Sequence, residues 1–288
     1  MMALYKRGIK GKEYYYLKYS QRKQGKVITK EKYIGKELPW NFSKEMIEMK
    51  KELQQSKKKE LYLKLEAIKK NLQNEWKKTP NAEKEKELRE IAIAFTYNTN
   101  AIEGSTITLE ETRNITQDQI SPNKSLRDVK ETEKHYFVFL EMLKKKEEIT
   151  NNTILEWHKR LFEETKQEMA GQYREYGVRV GMYIAPDWQD VKKLMNECIN
   201  FMNKNKEMNA VERAARGHYQ FEKVHPFGDG NGRVGRLLMN HILWHEGYPM
   251  LIIEYKKRNA YYKALQGGEE KFTQYFLRRY LAAHKKKN

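Results

Sequence analysis

Cysteine is almost missing from this sequence. Cys198 stands alone among 288 residues, so no intrachain disulfide can form, and such sparing use of thiols fits a reducing compartment. No apolar run is long enough to span a bilayer, and residues 1–7 lack the apolar core of a signal peptide. These absences lead us to expect a soluble, cytoplasmic protein with no membrane partner. Acidic residues are in deficit: 39 against 57 basic ones leave a formal net charge of +18. That excess permits contact with nucleic acid, acidic protein or anionic membrane without selecting among them, and a lysine-rich helical surface is the simpler explanation. The length suffices for one large domain plus an appendage.

Glycine is thinly spread, yet four of the 16 glycines crowd into residues 225–236, His-Pro-Phe-Gly-Asp-Gly-Asn-Gly-Arg-Val-Gly-Arg. Leu237, Leu238, Ile242 and Leu243 follow on one helical face, so the stretch reads as a loop that opens a helix. Residues 230–232 then lie near a helix N-terminus, where free N–H groups and the helix dipole favour an anion. Glycines there let a phosphate approach the backbone. Arg233 and Arg236 share a helix face and suit a chain of phosphates. Asp229 is the ligand type that Mg2+ takes together with substrate phosphates. His225 is the side chain best placed to accept a proton near neutral pH. Together these groups point to phosphoryl or nucleotidyl transfer. Residues 230–235 also fit the dinucleotide pattern G-x-G-x-x-G, but that pattern needs a preceding strand and residues 208–223 read as helix. His241 and His245 have a zinc-like spacing, yet position 242 is Ile where the metalloprotease pattern needs Glu, so core or surface histidines are the better reading.

The stretch matches the Fic-family signature His-x-Phe-x-Asp/Glu-Gly-Asn-Gly-Arg-x-x-Arg at every fixed position, and the chain resembles that family over roughly residues 88–280. The resemblance implies transfer of AMP from ATP to a protein hydroxyl (Ser, Thr or Tyr). It assigns His225 to deprotonating that hydroxyl and Asp229 to holding Mg2+ on the α- and β-phosphates. Gly230, Asn231 and Gly232 would bind phosphate oxygens, Arg233 and Arg236 would hold the β- and γ-phosphates, and Phe227 would anchor the loop in the core.

Upstream, residues 99–104, Thr-Asn-Ala-Ile-Glu-Gly, resemble the family's inhibitory motif Ser/Thr-x-x-x-Glu-Gly/Asn. Carried over, Glu103 would pair with Arg236 and block the γ-phosphate site. Breaking a buried Arg–Glu pair one-sidedly costs about 3–5 kcal/mol, less in a cleft open to solvent. A preference of only about 2.8 kcal/mol would leave about one molecule in a hundred competent. Gly177 and Gly181 bracket Val178, Arg179 and Val180, which read as a short extended piece or hairpin. In the family a hairpin flap here holds the target segment as an added strand, which would align its hydroxyl with His225. Tyr262 and Leu265 could cover the adenine, with core packing as the competing reading.

The remaining chain reads as structure. Residues 1–36 are rich in strand formers, with a turn at residues 20–25 and a further strand at residues 4–6, and predict a small antiparallel sheet. Tyrosines interleaved with lysines there allow nucleic-acid contact, against a plain solvated basic face. A long charged helix is expected over 43–78, capped by Ser43 and ended by Thr79-Pro80. Its apolar stripe could pack in cis or in a homodimer. Helices follow over 82–103, 109–116 behind a Thr108–Glu111 capping box, and 126–147. Thr153 with Glu156 opens another, then come 188–205, 208–223, 258–265 and a last one around Phe272, Phe276 and Tyr280. Residues 285–288 read as a disordered tail.

The expected fold is mainly α: a Fic-type helical core with a β-hairpin flap, plus a small N-terminal antiparallel β appendage. The expected organisation is a basic sheet at 1–40, a helical connector at 41–80 and a catalytic domain at 81–288. Two rival functions stand beside AMP transfer. One is deAMPylation or another Fic phospho-transfer, and the other is a nucleic-acid-binding regulator with a vestigial site and residues 1–36 as its reader.

Overall fold

The computed structural model describes residues 2–23 and 26–285. The chain divides into two compact units, Met1–Tyr62 and Leu63–Asn288.

The first unit begins with three antiparallel strands in the order β1 (Met2–Ile9), β2 (Lys12–Lys23) and β3 (Lys26–Gly35). Lys10 and Gly11 make the first turn with φ of +49° and +74°, the left-handed pair that matches the twist of a two-residue hairpin. Pairing sets Leu4 opposite Leu17 and Tyr5 opposite Tyr16, and Tyr16 opposite Tyr33 after a bulge at Tyr15/Tyr16. The first strand is longer than residues 4–6. The turn expected over 20–25 is also shorter, because β2 continues to Lys23; Gln24 and Gly25 lie outside the described residues, as do residues 286–288 of the expected tail. Helix α1 (Phe42–Lys78) starts one residue before Ser43, which therefore sits inside the first turn and is no cap.

The second unit is a stack of helices. Thr79 and Pro80 separate α1 from α2 (Asn81–Ile102), since the residue before a proline is pushed out of the helical region. Gly104 closes α2 with φ +94°, a conformation that glycine adopts without a Cβ penalty. Thr108 opens α3 (Leu109–Arg113) with the expected reciprocal capping box to Glu111. Next come α4 (Leu126–Lys144) and α5 (Asn151–Phe162). The cap of α5 is Thr150, whose hydroxyl accepts from Thr153 N at 3.1 Å; the Thr153 hydroxyl is used on Glu148 O at 2.9 Å. A two-stranded hairpin, β4 (Arg179–Val180) and β5 (Tyr183–Ile184), precedes α6 (Val191–Lys204), α7 (Ala210–Val224) and α8 (Asn231–His245). The unit ends with α9 (Arg258–Gln266) and α10 (Glu269–Ala283).

Helix α8 is the central element. Val234, Leu237, Leu238, Met239 and Leu243 are all fully buried, so it is apolar nearly all round, as a core helix must be. It packs against α7, α4 and α2, and α7 packs in turn against α6 and α10. His241 and His245 donate to Glu147 O and Met142 O at 2.8 and 2.7 Å, so the rings serve the main chain of the last turn of α4 and of the segment just after it. Helix α2 is held to α4 by Phe95 stacked on Phe139 with centroids 4.3 Å apart and both rings fully buried. Among the described residues no helix is long and apolar enough to cross a membrane.

The Phe95–Phe139 contact is the bolt that sets α2 against the core. Phe139→Ala should cost about 3–5 kcal/mol in urea unfolding, with Phe139→Leu closer to wild type. Equal stability of all three proteins would show that the contact carries no load.

Candidate active site

Helix α7 ends at His225, whose φ of +50° and ψ of 60° are left-handed. A non-glycine residue tolerates this conformation only when its surroundings enforce it, and here they do. His225 N donates to Phe221 O at 3.0 Å, and the His225 carbonyl accepts from Arg174 Nε at 2.9 Å. Burial lowers the pKa of the His225 ring, and nearby Arg174 lowers it further, so the ring is neutral at pH 7 and able to take a proton.

The loop after His225 is braced from below. Phe227 is fully buried and lies flat on His158, with centroids 3.8 Å apart and an interplanar angle of 9°. Gly171 N donates to His158 Nδ1 at 2.9 Å, so Nε2 carries the proton and donates to Asp229 O at 3.0 Å. Burial holds His158 at about 4, which keeps that tautomer neutral. The Asn231 side chain closes on the Phe227 main chain, accepting from its N–H at 2.9 Å and donating to its carbonyl at 2.8 Å. The Asn231 side chain is thus committed to the loop, and its main-chain N–H is the group it offers a ligand. Gly230, at φ +83°, faces the Phe162 ring with no room for a Cβ. The first intrahelical bond of α8 is Val234 N to Gly230 O at 3.1 Å. The N–H groups of Asn231, Gly232 and Arg233 therefore lack helical partners, which makes an anion nest.

An anion already stands there. Glu103 Oε1 lies 2.6 Å from Arg236 Nη2, and a Cβ on Gly232 would run into that same oxygen. Arg236 is 1% exposed, and Thr99 adds its hydroxyl and carbonyl, each at 3.3 Å. Burial works against the charge of Arg236, but the Glu103 carboxylate outweighs it and keeps the guanidinium protonated.

A second cluster flanks the first. Glu131, on α4, is almost fully buried and meets Arg233, Lys166 Nζ at 3.0 Å, Arg127 Nε at 3.1 Å and Thr165 Oγ1 at 3.0 Å. Burial pushes its carboxyl up, but Arg233 and Lys166 more than offset this and hold it at about 2. Lys166 also reaches Asp229 Oδ2 at 2.6 Å, and Arg127 and Arg233 stand 3.8 Å from the same carboxylate. Burial raises the Asp229 pKa, but Lys166 and Arg233, with the Gly230 N–H, outweigh it and leave the group below its ordinary value. Asn100, Glu103, Arg127, Glu131, Asp229 and Arg233 line a cavity of about 240 Å3.

Arg174, on the other side, is 4% exposed. Beyond His225 it donates to Tyr176 O and Pro186 O, both at 2.7 Å. One guanidinium thus ties both ends of the hairpin segment to the signature loop. The strands themselves are Arg179–Val180 and Tyr183–Ile184, with Val178 just outside but bonded through its carbonyl to Ala185 N at 3.1 Å. Tyr262 sits at the end of α2, donating to Ile102 O at 3.2 Å, and Leu265 is half-buried one turn on; neither lines the 240 Å3 cavity.

Sequence reading missed Glu131, Lys166, Arg127, Arg174 and His158. His158 carried a weak signal, as a lone histidine on the apolar face of Ile154, Trp157 and Leu161. The others look like ordinary surface charges until the fold gathers them.

The fold and site define a helical scaffold built around a cation-rich anion nest with a neutral histidine at its rim. Comparison with known proteins gives this class a family. Residues 148–243 match the model of the Fic/DOC family. Protein adenylyltransferase Fic of Nematostella vectensis is 35% identical over 198 residues, covering 66% of this chain and 46% of that protein. Protein adenylyltransferase fic-1 of Caenorhabditis elegans is 33% identical over 205 residues, covering 68% and 40%. A solved structure of Fic-1 from C. elegans superposes with a TM-score of 0.70 at 27% identity, over 85% of this chain and 76% of that one. The chain carries a Fic domain. It spans less than half the length of these two curated relatives.

Glu131 should make stability pH-dependent in one direction. Its carboxyl is held at about 2 against an ordinary 4.5, so its contribution is complete above the ordinary value and is lost as pH falls towards 2. Urea stability between pH 5 and pH 3 should fall less steeply in Glu131→Gln than in wild type; parallel curves would remove Glu131 from the acid limb.

Proposed function

We propose that this protein is an adenylyltransferase that moves AMP from ATP to a Ser, Thr or Tyr hydroxyl of a target protein, and that Glu103 restrains it. One observation carries the reading. The buried arginine beside the anion nest is occupied by a carboxylate from a neighbouring helix, where an incoming phosphate would have to sit. The names of the curated relatives support the reaction class.

In this reading the free N–H groups of residues 231–233 receive phosphate oxygens, while Arg233 and Arg236 take the outer phosphates once Glu131 and Glu103 yield them. Among the described residues no group of three or more His, Cys, Asp and Glu could hold a metal. Asp229 is the ligand type that Mg2+ takes, since this ion keeps waters and draws its other ligands from substrate phosphates. Bound Mg2+ would neutralise phosphate charge as the leaving group forms. Lys166 has Glu131 as a ready second partner at 3.0 Å when it yields Asp229. The target hydroxyl gives its proton to His225, its oxygen bonds to the α-phosphorus in line, the bond to the β-phosphate oxygen breaks, and pyrophosphate leaves. The hairpin aligns the target segment as an added strand, and its exposed Met182 and Ile184 offer that segment an apolar edge.

Incubation with α-labelled ATP and Mg2+ tests this through self-labelling. Glu103→Gly should label about 10- to 100-fold faster than wild type, and His225→Ala should not label above background. Failure of a folded Glu103→Gly protein to label itself or any protein in a lysate would overturn the forward reaction. Because the His225 pKa is lowered, activity should hold at pH 6.5 and fall only in more acidic buffer; a rate halved already at pH 6.5 would argue against His225 as the base.

A further inference from the structure

We propose that the open face of the β1–β2–β3 sheet is a docking surface for single-stranded nucleic acid. Strand parity sorts the side chains into two faces. One carries Leu4, Lys6, Tyr15 and Leu17; it is covered at its centre, where Leu17 is 1% exposed, and open towards its edge, where Leu4 is 37% exposed. The other carries Tyr5, Arg7, Tyr14, Tyr16, Lys18 and Tyr33. On it Tyr33 is 52% exposed and the Arg7 side chain 46%.

Four rings form a continuous platform across the three strands. Tyr5 stacks on Tyr16 at 5.7 Å, Tyr16 meets Tyr33 at 5.4 Å, and Tyr33 meets Tyr14 at 6.1 Å. The Arg7 guanidinium lies 4.8 Å above Tyr16, kept there by Glu31 at 2.7 Å and the Tyr5 hydroxyl at 2.8 Å. It adds a planar cation to the platform, and such planes stack on bases as rings do.

Charge selects the occupant. Residues 1–36 hold eleven basic side chains and two acidic ones, and thus half of the net +18 of the whole chain. A polyanion is the complementary ligand. The rings narrow the choice, because an acidic peptide or a lipid headgroup would use the charge and leave the aromatic platform idle. A duplex hides its base faces within its own stack. A single strand presents phosphates to the lysines and unstacked bases to the tyrosines. The proposal is independent of AMP transfer and uses none of the residues around His225.

Fluorescence anisotropy on the full chain tests it, with a labelled oligo-dT or oligo-rU strand, the corresponding duplex, heparin, and vesicles of anionic lipid. Wild type should bind the single strands more tightly than the duplex and heparin, with affinity falling as salt rises. Tyr33→Leu and Tyr16→Leu should each weaken single-strand binding about tenfold, while Tyr16→Phe keeps it. Tyr33 is exposed, so its variant tests the idea even if Tyr16→Leu disturbs the sheet, and His225→Ala should bind as wild type does. The proposal falls if the single strand does not bind at low salt, or if duplex, heparin or vesicles bind equally or better. It falls as well if the leucine variants bind like wild type, because charge alone would then account for the contact.

Discussion

Arg236 carries a full positive charge at 1% exposure, and much of the second unit is arranged to answer it. A buried cation without a partner is among the costliest defects a fold can hold. Glu103 supplies the partner, which requires α2 to end beside the start of α8. That placement needs the Phe95–Phe139 stack between α2 and α4, and the glycine at position 104 that stops α2 where the carboxylate is needed. A residue whose charge suits it to a phosphate thus also dictates where a neighbouring helix must lie.

The same electrostatic constraint repeats one turn earlier on α8. Arg233 is answered by Glu131, and Glu131 also holds Lys166, which bridges to Asp229. Three cations surround two carboxylates at the nest, so every charge has a partner without a ligand, and a surplus positive charge remains to attract one. In the proposed mechanism the pairs exchange partners while each stays compensated. Opposite this cluster Arg174 makes a rigid joint of its guanidinium, satisfying carbonyls of the hairpin segment and of the signature loop at once. His225 and the hairpin therefore share one anchor.

The central site was legible because its chemistry sits within one stretch of chain. Glycine spacing announced the loop, the apolar period announced α8, and Thr108 with Glu111 announced a cap that forms as expected. The Glu103–Arg236 pair was expected only from the resemblance of residues 99–104 to the inhibitory motif, since a glutamate before a helix-ending glycine is by itself a common pattern. Local signals misled where two residues competed for one role: Thr153 looked like a cap, but Thr150 takes it because the Thr153 hydroxyl reaches back to Glu148.

Residues 225–236 by themselves determined the order of histidine, carboxylate, nest and arginines, because a loop entering a helix places its own groups through backbone geometry alone. The helical periods likewise determined which faces are apolar. Only the tertiary structure decided that Glu131, Lys166 and Arg127 converge on Asp229 and Arg233, that His158 supports Phe227, and that Arg174 joins hairpin to loop. These contacts connect residues far apart in sequence, and a lone lysine or arginine has no local period or spacing that would reveal its partner. Helix packing brings those charges together, and the cost of leaving any of them buried and unpaired fixes who meets whom.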